Sequence, residues 1–186
     1  MTGWLDGGRG WVVVMSGGSG AIPETVSGCV WAVSRRVRPC GSDVGTARGS
    51  GAQKGLDERF AGGEIDVLTG DYLAELTMLI LAMDRMKDPS KGYAKSFLRQ
   101  LEDCLGLAID RGVKIVVNAG GLNPAGLAVA VRALADRLGI AAEVAHVEGD
   151  DLLQRAAELE LGEGLLAANA YLGAWGIADC LRSGAN

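Results

Sequence analysis

Lys114–Gly139, KIVVNAGGLNPAGLAVAVRALADRLG, decides the fold, because a strand, a glycine-containing loop and a helix follow one another in it without interruption. Ile115, Val116 and Val117 are consecutive β-branched apolar residues with no polar alternation. That is the pattern of a strand covered on both faces, and so of a parallel sheet. Asn118 to Asn123 breaks the run as a loop, and Asn123 before Pro124 gives a helix cap followed by a first helical residue that needs no N–H. Leu127, Val131, Leu134 and Leu138 then recur at helical spacing on one face, and Gly139 supplies the left-handed residue that closes the helix.

Upstream, Glu64–Leu68 reads as a short strand ended by Thr69-Gly70-Asp71. Tyr72 to Lys87 reads as a helix whose inner side is Leu73, Leu76, Leu79 or Ile80, Met83 and Met86. A second helix runs from about Tyr93 to Asp110 on Phe97, Leu98, Leu101, Leu105 and Ile109, and stops at Gly112. Downstream, Ala142–Val147 is a third strand, Glu148-Gly149-Asp150-Asp151 a loop, and Leu152, Leu153, Ala156 and Leu159 the apolar side of a short helix. Leu165–Ala170 fits either strand or helix, Asn169–Gly173 a loop, and Gly176–Ser183 a last helix. Strand, polar loop and helix occur three times in succession, which predicts an α/β fold: a parallel sheet with flanking helices, Rossmann-like and three-layered.

The first 54 residues differ from the rest. They hold 12 of the 29 glycines, Trp4, Trp11 and Trp31, and a single leucine, Leu5, and they carry a net charge of +3 against −8 for residues 55–186. Trp11-Val12-Val13-Val14-Met15 before Ser16-Gly17-Gly18-Ser19-Gly20 superficially resembles a strand entering a nucleotide loop, but the spacing is not GxGxxG and no amphipathic helix follows. Arg35–Gly55 has no periodicity. The expectation is therefore an irregular or non-native segment at 1–54 and one α/β domain at 55–186.

The net charge of −5 argues against a general nucleic-acid binder, and no run of about eighteen apolar residues marks a membrane span. The amino terminus makes a poor signal peptide, so a cytoplasmic location is expected. Cys29, Cys40, Cys104 and Cys180 lack CxxC spacing and read as reduced thiols. His146 is the only histidine, which excludes a histidine-rich metal site.

Loops at the carboxyl ends of neighbouring parallel strands converge on one crevice. Thr69-Gly70-Asp71-Tyr72, Asn118-Ala119-Gly120-Gly121-Leu122-Asn123 and His146-Val147-Glu148-Gly149-Asp150-Asp151 would bring carboxylates, carboxamides, an imidazole and closely approaching backbone to that edge. Each residue also has a plain structural reading: Asp71, Asn123 and Asp150 as helix caps, Gly120 and Gly121 as a tight turn. His146, Glu148 and Asp150 share one side only if the strand persists past Gly149, and no metal or cofactor is assigned. His146, inside an apolar run, is expected to be at least partly buried.

Asp66-Val67-Leu68-Thr69-Gly70-Asp71-Tyr72-Leu73-Ala74-Glu75-Leu76-Thr77, Val116-Val117-Asn118-Ala119-Gly120-Gly121-Leu122-Asn123-Pro124, His146–Asp151 and Ala168-Asn169-Ala170-Tyr171-Leu172-Gly173 together resemble the acyclic terpene utilisation family AtuA, over about residues 58–185. The resemblance implies a role in the breakdown of branched acyclic terpenoids such as citronellol and geraniol, beside an acyl-CoA carboxylase system. It implies a small-molecule acyl or acyl-CoA partner and a homo-oligomer or a complex with catabolic enzymes, with no nucleic-acid or membrane partner. Asp71, His146, Glu148 and Asp150 become candidate proton-transfer groups. Thr69, Gly70, Asn118, Gly120, Gly121, Asn123, Asn169 and Tyr171 become candidate substrate contacts. A non-catalytic accessory or assembly subunit is the alternative. Two departures from the family pattern, at Arg35–Gly55 and after Gly184, lead to the expectation of an incomplete domain that is weakly stable and inactive alone.

Overall fold

A computed structural model describes Gly10–Ser16, Cys29–Val33 and residues 67–183. Its strands are β1 (Gly10–Ser16), β2 (Cys29–Val33), β3 (Val67–Asp71), β4 (Lys114–Gly121) and β5 (Ala142–Val147). Its helices are α1 (Glu75–Lys87), α2 (Lys95–Asp110), α3 (Pro124–Leu138) and α4 (Trp175–Ser183). The strands form one sheet in the order β2-β3-β4-β1-β5. Pairing is parallel between β3 and β4, β4 and β1, and β1 and β5, while β2 lies antiparallel on β3 at the edge.

The run that predicted the fold is buried on both faces. Ile115, Val117 and Ala119 of β4 pack with Phe97, Leu101 and Leu105 of α2 and with Leu127, Val131 and Leu134 of α3. Val116 faces the other way, toward Ile177, Cys180 and Leu181 of α4. The parallel sheet with flanking helices is thus present, with helices on both faces. In the classic dinucleotide-binding order the second parallel strand lies beside the first. Here β4, the third parallel strand in the chain, occupies that place.

Strand ends differ from the sequence reading in ways the backbone explains. β3 runs on through Thr69, Gly70 and Asp71, and β4 through Asn118–Gly121, although these residues read as loops. The ladder continues because backbone partners exist past the apolar run. Ser16 lies opposite Gly121 beyond a bulge on one side. On the other side, beyond the end of β3, the Ala94 amide donates to the Ala119 carbonyl at 2.8 Å and the Leu122 amide to the Gly92 carbonyl at 2.8 Å. Polar residues therefore stay in strand geometry.

Helix α1 corrects a second expectation. Leu76, Leu79, Ile80, Met83 and Met86, read as its inner side, are exposed, and the buried residues are Leu81 and Ala82. The helix is not packed on a sheet face; it rests on the turn after β4 through Leu81 and Ala82 against Leu122, with Leu73 and Ala167 beside them. A narrow contact of that kind buries a different stripe from the one periodicity selects. The helix expected at Leu152–Leu159 is only a 3-10 turn at Leu153–Arg155, where the Asp151 side chain accepts from the Leu153 amide at 2.9 Å. Within Leu165–Ala170 the backbone forms neither element, apart from an isolated bridge between Asp151 and Asn169.

Trp11–Met15 lies inside β1, between β4 and β5, so the expected irregularity of the first 54 residues does not extend to Gly10–Ser16 or Cys29–Val33. Its three successive valines form the same uninterrupted apolar pattern as Ile115–Val117, which suits a central parallel strand. Arg35–Gly55 and the start of the strand expected at Glu64 lie outside the described residues.

Candidate functional site

Four parallel strands end on one edge: Asp71 of β3, Gly121 of β4, Ser16 of β1 and Val147 of β5. The segments Thr69–Tyr72, Asn118–Asn123 and Glu148–Asp151 therefore share that edge, as the convergence argument requires.

At the β3–β4 end, the buried Asn118 joins two residues, Asp71 and Tyr72. Its Nδ2 donates to Asp71 Oδ1 at 2.7 Å, and its Oδ1 accepts from the Tyr72 amide at 2.7 Å. Asp71 Oδ1 also accepts from the Leu73 amide at 3.1 Å. Tyr72 then turns inward, where its hydroxyl donates to Gln100 Oε1 at 2.6 Å and its ring meets Phe97 edge-on at 5.4 Å. Burial, with Cys104 nearby, pushes the Tyr72 phenol far above its ordinary value, so it stays protonated. Gly70 makes room for that ring, since a Cβ there would sit 2.6 Å from Tyr72 Cε2. Gly121 adopts φ +55, and a Cβ on it would sit 2.9 Å from the Gly92 carbonyl oxygen and collide with Leu81. Gly120 is buried in the same strand end.

Asn123 behaves as a cap. Its Oδ1 accepts from the Gly126 amide at 2.9 Å, while Nδ2 donates to the Lys91 carbonyl at 3.0 Å and the Ser90 carbonyl at 3.2 Å. At the β5 end the carboxylates divide into two pairs. His146, whose side chain is 31% exposed, places Nε2 at 3.5 Å from Glu148 Oε1 on the surface. Asp150 is 2% exposed and accepts from Asn169 Nδ2 at 2.9 Å, and its carbonyl accepts from the Ala170 amide at 2.8 Å. Asn169 Oδ1 is buried without a hydrogen bond among the described residues. Tyr171 is exposed.

Two strands separate β3 from β5, so at a spacing of roughly 4.8 Å per strand Asp71 and His146 stand about 14 Å apart along the edge. The candidates consequently form two clusters, Asp71–Asn118–Tyr72 and His146–Glu148 with Asp150–Asn169. Sequence reasoning missed the residue that links the two ends. Arg85 of α1 donates through one nitrogen to the Leu122 carbonyl at 2.7 Å and to Asp151 Oδ2 at 3.1 Å. No sequence spacing points to it, because its partners lie 37 and 66 residues away.

The reading also missed a groove of about 330 Å³ beside the first cluster. Tyr72, Ile80, Leu81 and Tyr93 give it apolar walls, and Thr77, Ser96 and the Asp84–Lys95 ion pair, at 2.7 Å, give it a polar side. The ion pair holds Lys95 above and Asp84 below their ordinary ranges, chiefly through the hydrogen bond between them. Tyr72 belongs both to this groove and to the Asn118 network. β5 ends at Val147 and Gly149 turns at φ +108, so the strand alternation that would align residues 146, 148 and 150 is broken. Among the described residues no group of three His, Cys, Asp or Glu side chains is placed to hold a metal ion.

Comparison with curated proteins and with solved structures finds no match. The family model described as "Acyclic terpene utilisation family protein AtuA" matches residues 44–186. That span takes in all four quoted motifs and the ends of β3, β4 and β5 on the edge, but not β1, which lies between β4 and β5. The chain belongs to the acyclic terpene utilisation family AtuA.

Proposed function

We propose that this chain serves acyclic terpene utilisation by binding a branched acyclic acyl compound, free or as its CoA thioester, at the carboxyl edge of the sheet. The observation that carries this reading is the groove that shares Tyr72 with the Asp71–Asn118 network. A branched hydrocarbon chain is uniformly apolar and suits the walls of Tyr72, Ile80, Leu81 and Tyr93, whereas its acyl end needs polar partners of the kind Thr77, Ser96 and Lys95 offer. Fixed amide and carboxylate groups beside such a groove suit positioning and proton transfer on an acyl compound. Asp71 sits nearest in sequence and structure to Tyr72, and the half-exposed His146–Glu148 pair is the second candidate for moving a proton. Asn118, Gly120, Gly121 and Asn123 are assigned to shaping the edge, since their contacts are to the protein's own backbone and side chains. Thr69 and Gly70 support Tyr72 from within the strand, and Asp150 and Asn169 hold the opposite loop.

A thermal-shift series tests the reading, because a ligand bound only to the folded state adds about 2.7 kcal/mol at a hundredfold excess over its Kd. A citronellol-derived acyl-CoA is expected to raise the melting temperature, free CoA to raise it less, and Asp71→Asn to change the response to the thioester. Equal shifts with free CoA and the branched thioester would remove the groove from the account.

A further inference from the structure

Helix α1 carries an apolar stripe that no other described residue covers: Leu76 is 68% exposed, Ile80 51% and Met86 72%, with Leu79 and Met83 between them. Five large apolar side chains over about 15 Å of helix form a contiguous patch of the kind that marks an interaction surface. The order of residues along α1 says what would cover it. Taken about residue 81, four of the five stripe residues exchange with one another when the helix is reversed, Leu76 with Met86 and Leu79 with Met83, while Ile80 at the margin falls opposite the buried Ala82. The same reversal exchanges Glu75, exposed in the first turn, with Lys87, exposed in the last.

We propose that α1 is the contact helix of a twofold-symmetric homodimer, in which two copies pack antiparallel about residue 81 with Glu75 of each facing Lys87 of the other. A twofold interface requires a patch that is complementary to itself, and α1 meets that requirement through Leu76, Leu79, Met83 and Met86 and through the charges of Glu75 and Lys87. Antiparallel packing also sets the positive end of each helix dipole beside the negative end of its partner. The other charged groups on the helix are engaged within the chain, Asp84 by Lys95 and Arg85 by Leu122 and Asp151. Among the described residues that leaves Glu75 and Lys87, the latter near Asp84 without an ion pair to it, at the ends of the stripe to set the register. Ile80 belongs both to the stripe and to the groove wall, so dimer formation would bring the second copy up to the rim of the groove.

Sedimentation velocity on the whole chain tests this directly. The wild type is expected at twice the chain mass of 19.2 kDa at micromolar concentration. Leu79→Lys and Met83→Lys should each sediment as monomers with unchanged far-ultraviolet circular dichroism. Glu75→Lys should shift the equilibrium toward monomer by tenfold or more, and Glu75→Lys combined with Lys87→Glu should restore the dimer. A monomeric wild type, a dimer indifferent to Leu79→Lys and Met83→Lys, or a polydisperse aggregate would each overturn the proposal. Failure of the double charge exchange to restore the dimer would overturn the antiparallel register.

Discussion

Asn118 holds Asp71 and the Tyr72 backbone with opposite ends of one carboxamide, donating to the Asp71 carboxylate and accepting from the Tyr72 amide, each at 2.7 Å. One buried side chain thereby fixes the end of β3 against β4 and sets the direction in which the Tyr72 ring enters the core. Asn118→Ala should cost about 1–3 kcal/mol, because a buried amide hydrogen and a carboxylate oxygen lose their partner together. Urea unfolding of the variant measures the loss. A change under 0.5 kcal/mol, the range of about half a unit found for ordinary surface substitutions, would show that water replaces the carboxamide without penalty.

Two left-handed glycines should respond unequally to alanine. Gly139 has φ +68 and nothing within 4 Å of its added Cβ, so Gly139→Ala should cost only the backbone strain of about 1 kcal/mol. Gly121 has φ +55 and faces the Gly92 carbonyl at 2.9 Å as well as Leu81, so Gly121→Ala should cost about 3 kcal/mol or more. Equal losses in the two variants would contradict the close approach of α1 to the end of β4.

Tyr72 gives a pH dependence of definite sign. Its phenol is raised in the folded chain, first by burial and then by Cys104, so as pH rises the unfolded chain releases this proton before the folded one. Its contribution is whole below about pH 10 and is lost progressively above it. Tyr72→Phe should therefore flatten the alkaline fall in stability, at a cost near neutrality of about 1 kcal/mol for the bond to Gln100. Unfolding curves at pH 8 and about pH 11 compare the two proteins. An alkaline slope unchanged by the substitution would place the responsible group elsewhere.

Deleting residues 1–54 should abolish cooperative unfolding. The deletion removes β1 from between β4 and β5, which leaves both strands with unpaired inner edges. A chain of residues 55–186 that keeps a steep two-state transition would show instead that the carboxyl-terminal part is a domain in its own right.

The sequence showed the sheet-forming runs and their helices because burial on two faces and helical spacing leave a local trace. Ile115–Val117, the Asn123–Pro124 cap, Ala142–Val147 and the apolar face of α2 all lie where those traces put them. The strand extensions at Thr69–Asp71 and Asn118–Gly121 were hidden because backbone partners distant in the chain, not side-chain type, hold them. The orientation of α1 was hidden for a related reason: a strong apolar stripe predicts that a helix face is covered, without saying by what. Of the candidate site, strand–loop–helix order made legible the carboxyl edge and the places of Asp71, Asn118 and His146 near the ends of β3, β4 and β5. The Arg85 link and the groove between α1 and α2 depend on how two helices meet, and no local pattern records that.

Titration calorimetry with a citronellol-derived acyl-CoA tests the central claim most directly, using the wild type and Thr77→Trp, which places a large ring in the groove away from the exposed stripe of α1. Saturable binding to the wild type, at least tenfold weaker for a short straight-chain acyl-CoA and lost in a folded Thr77→Trp variant, is the predicted result. Binding of the same strength to wild type and Thr77→Trp, or no binding to a folded wild type, would contradict it.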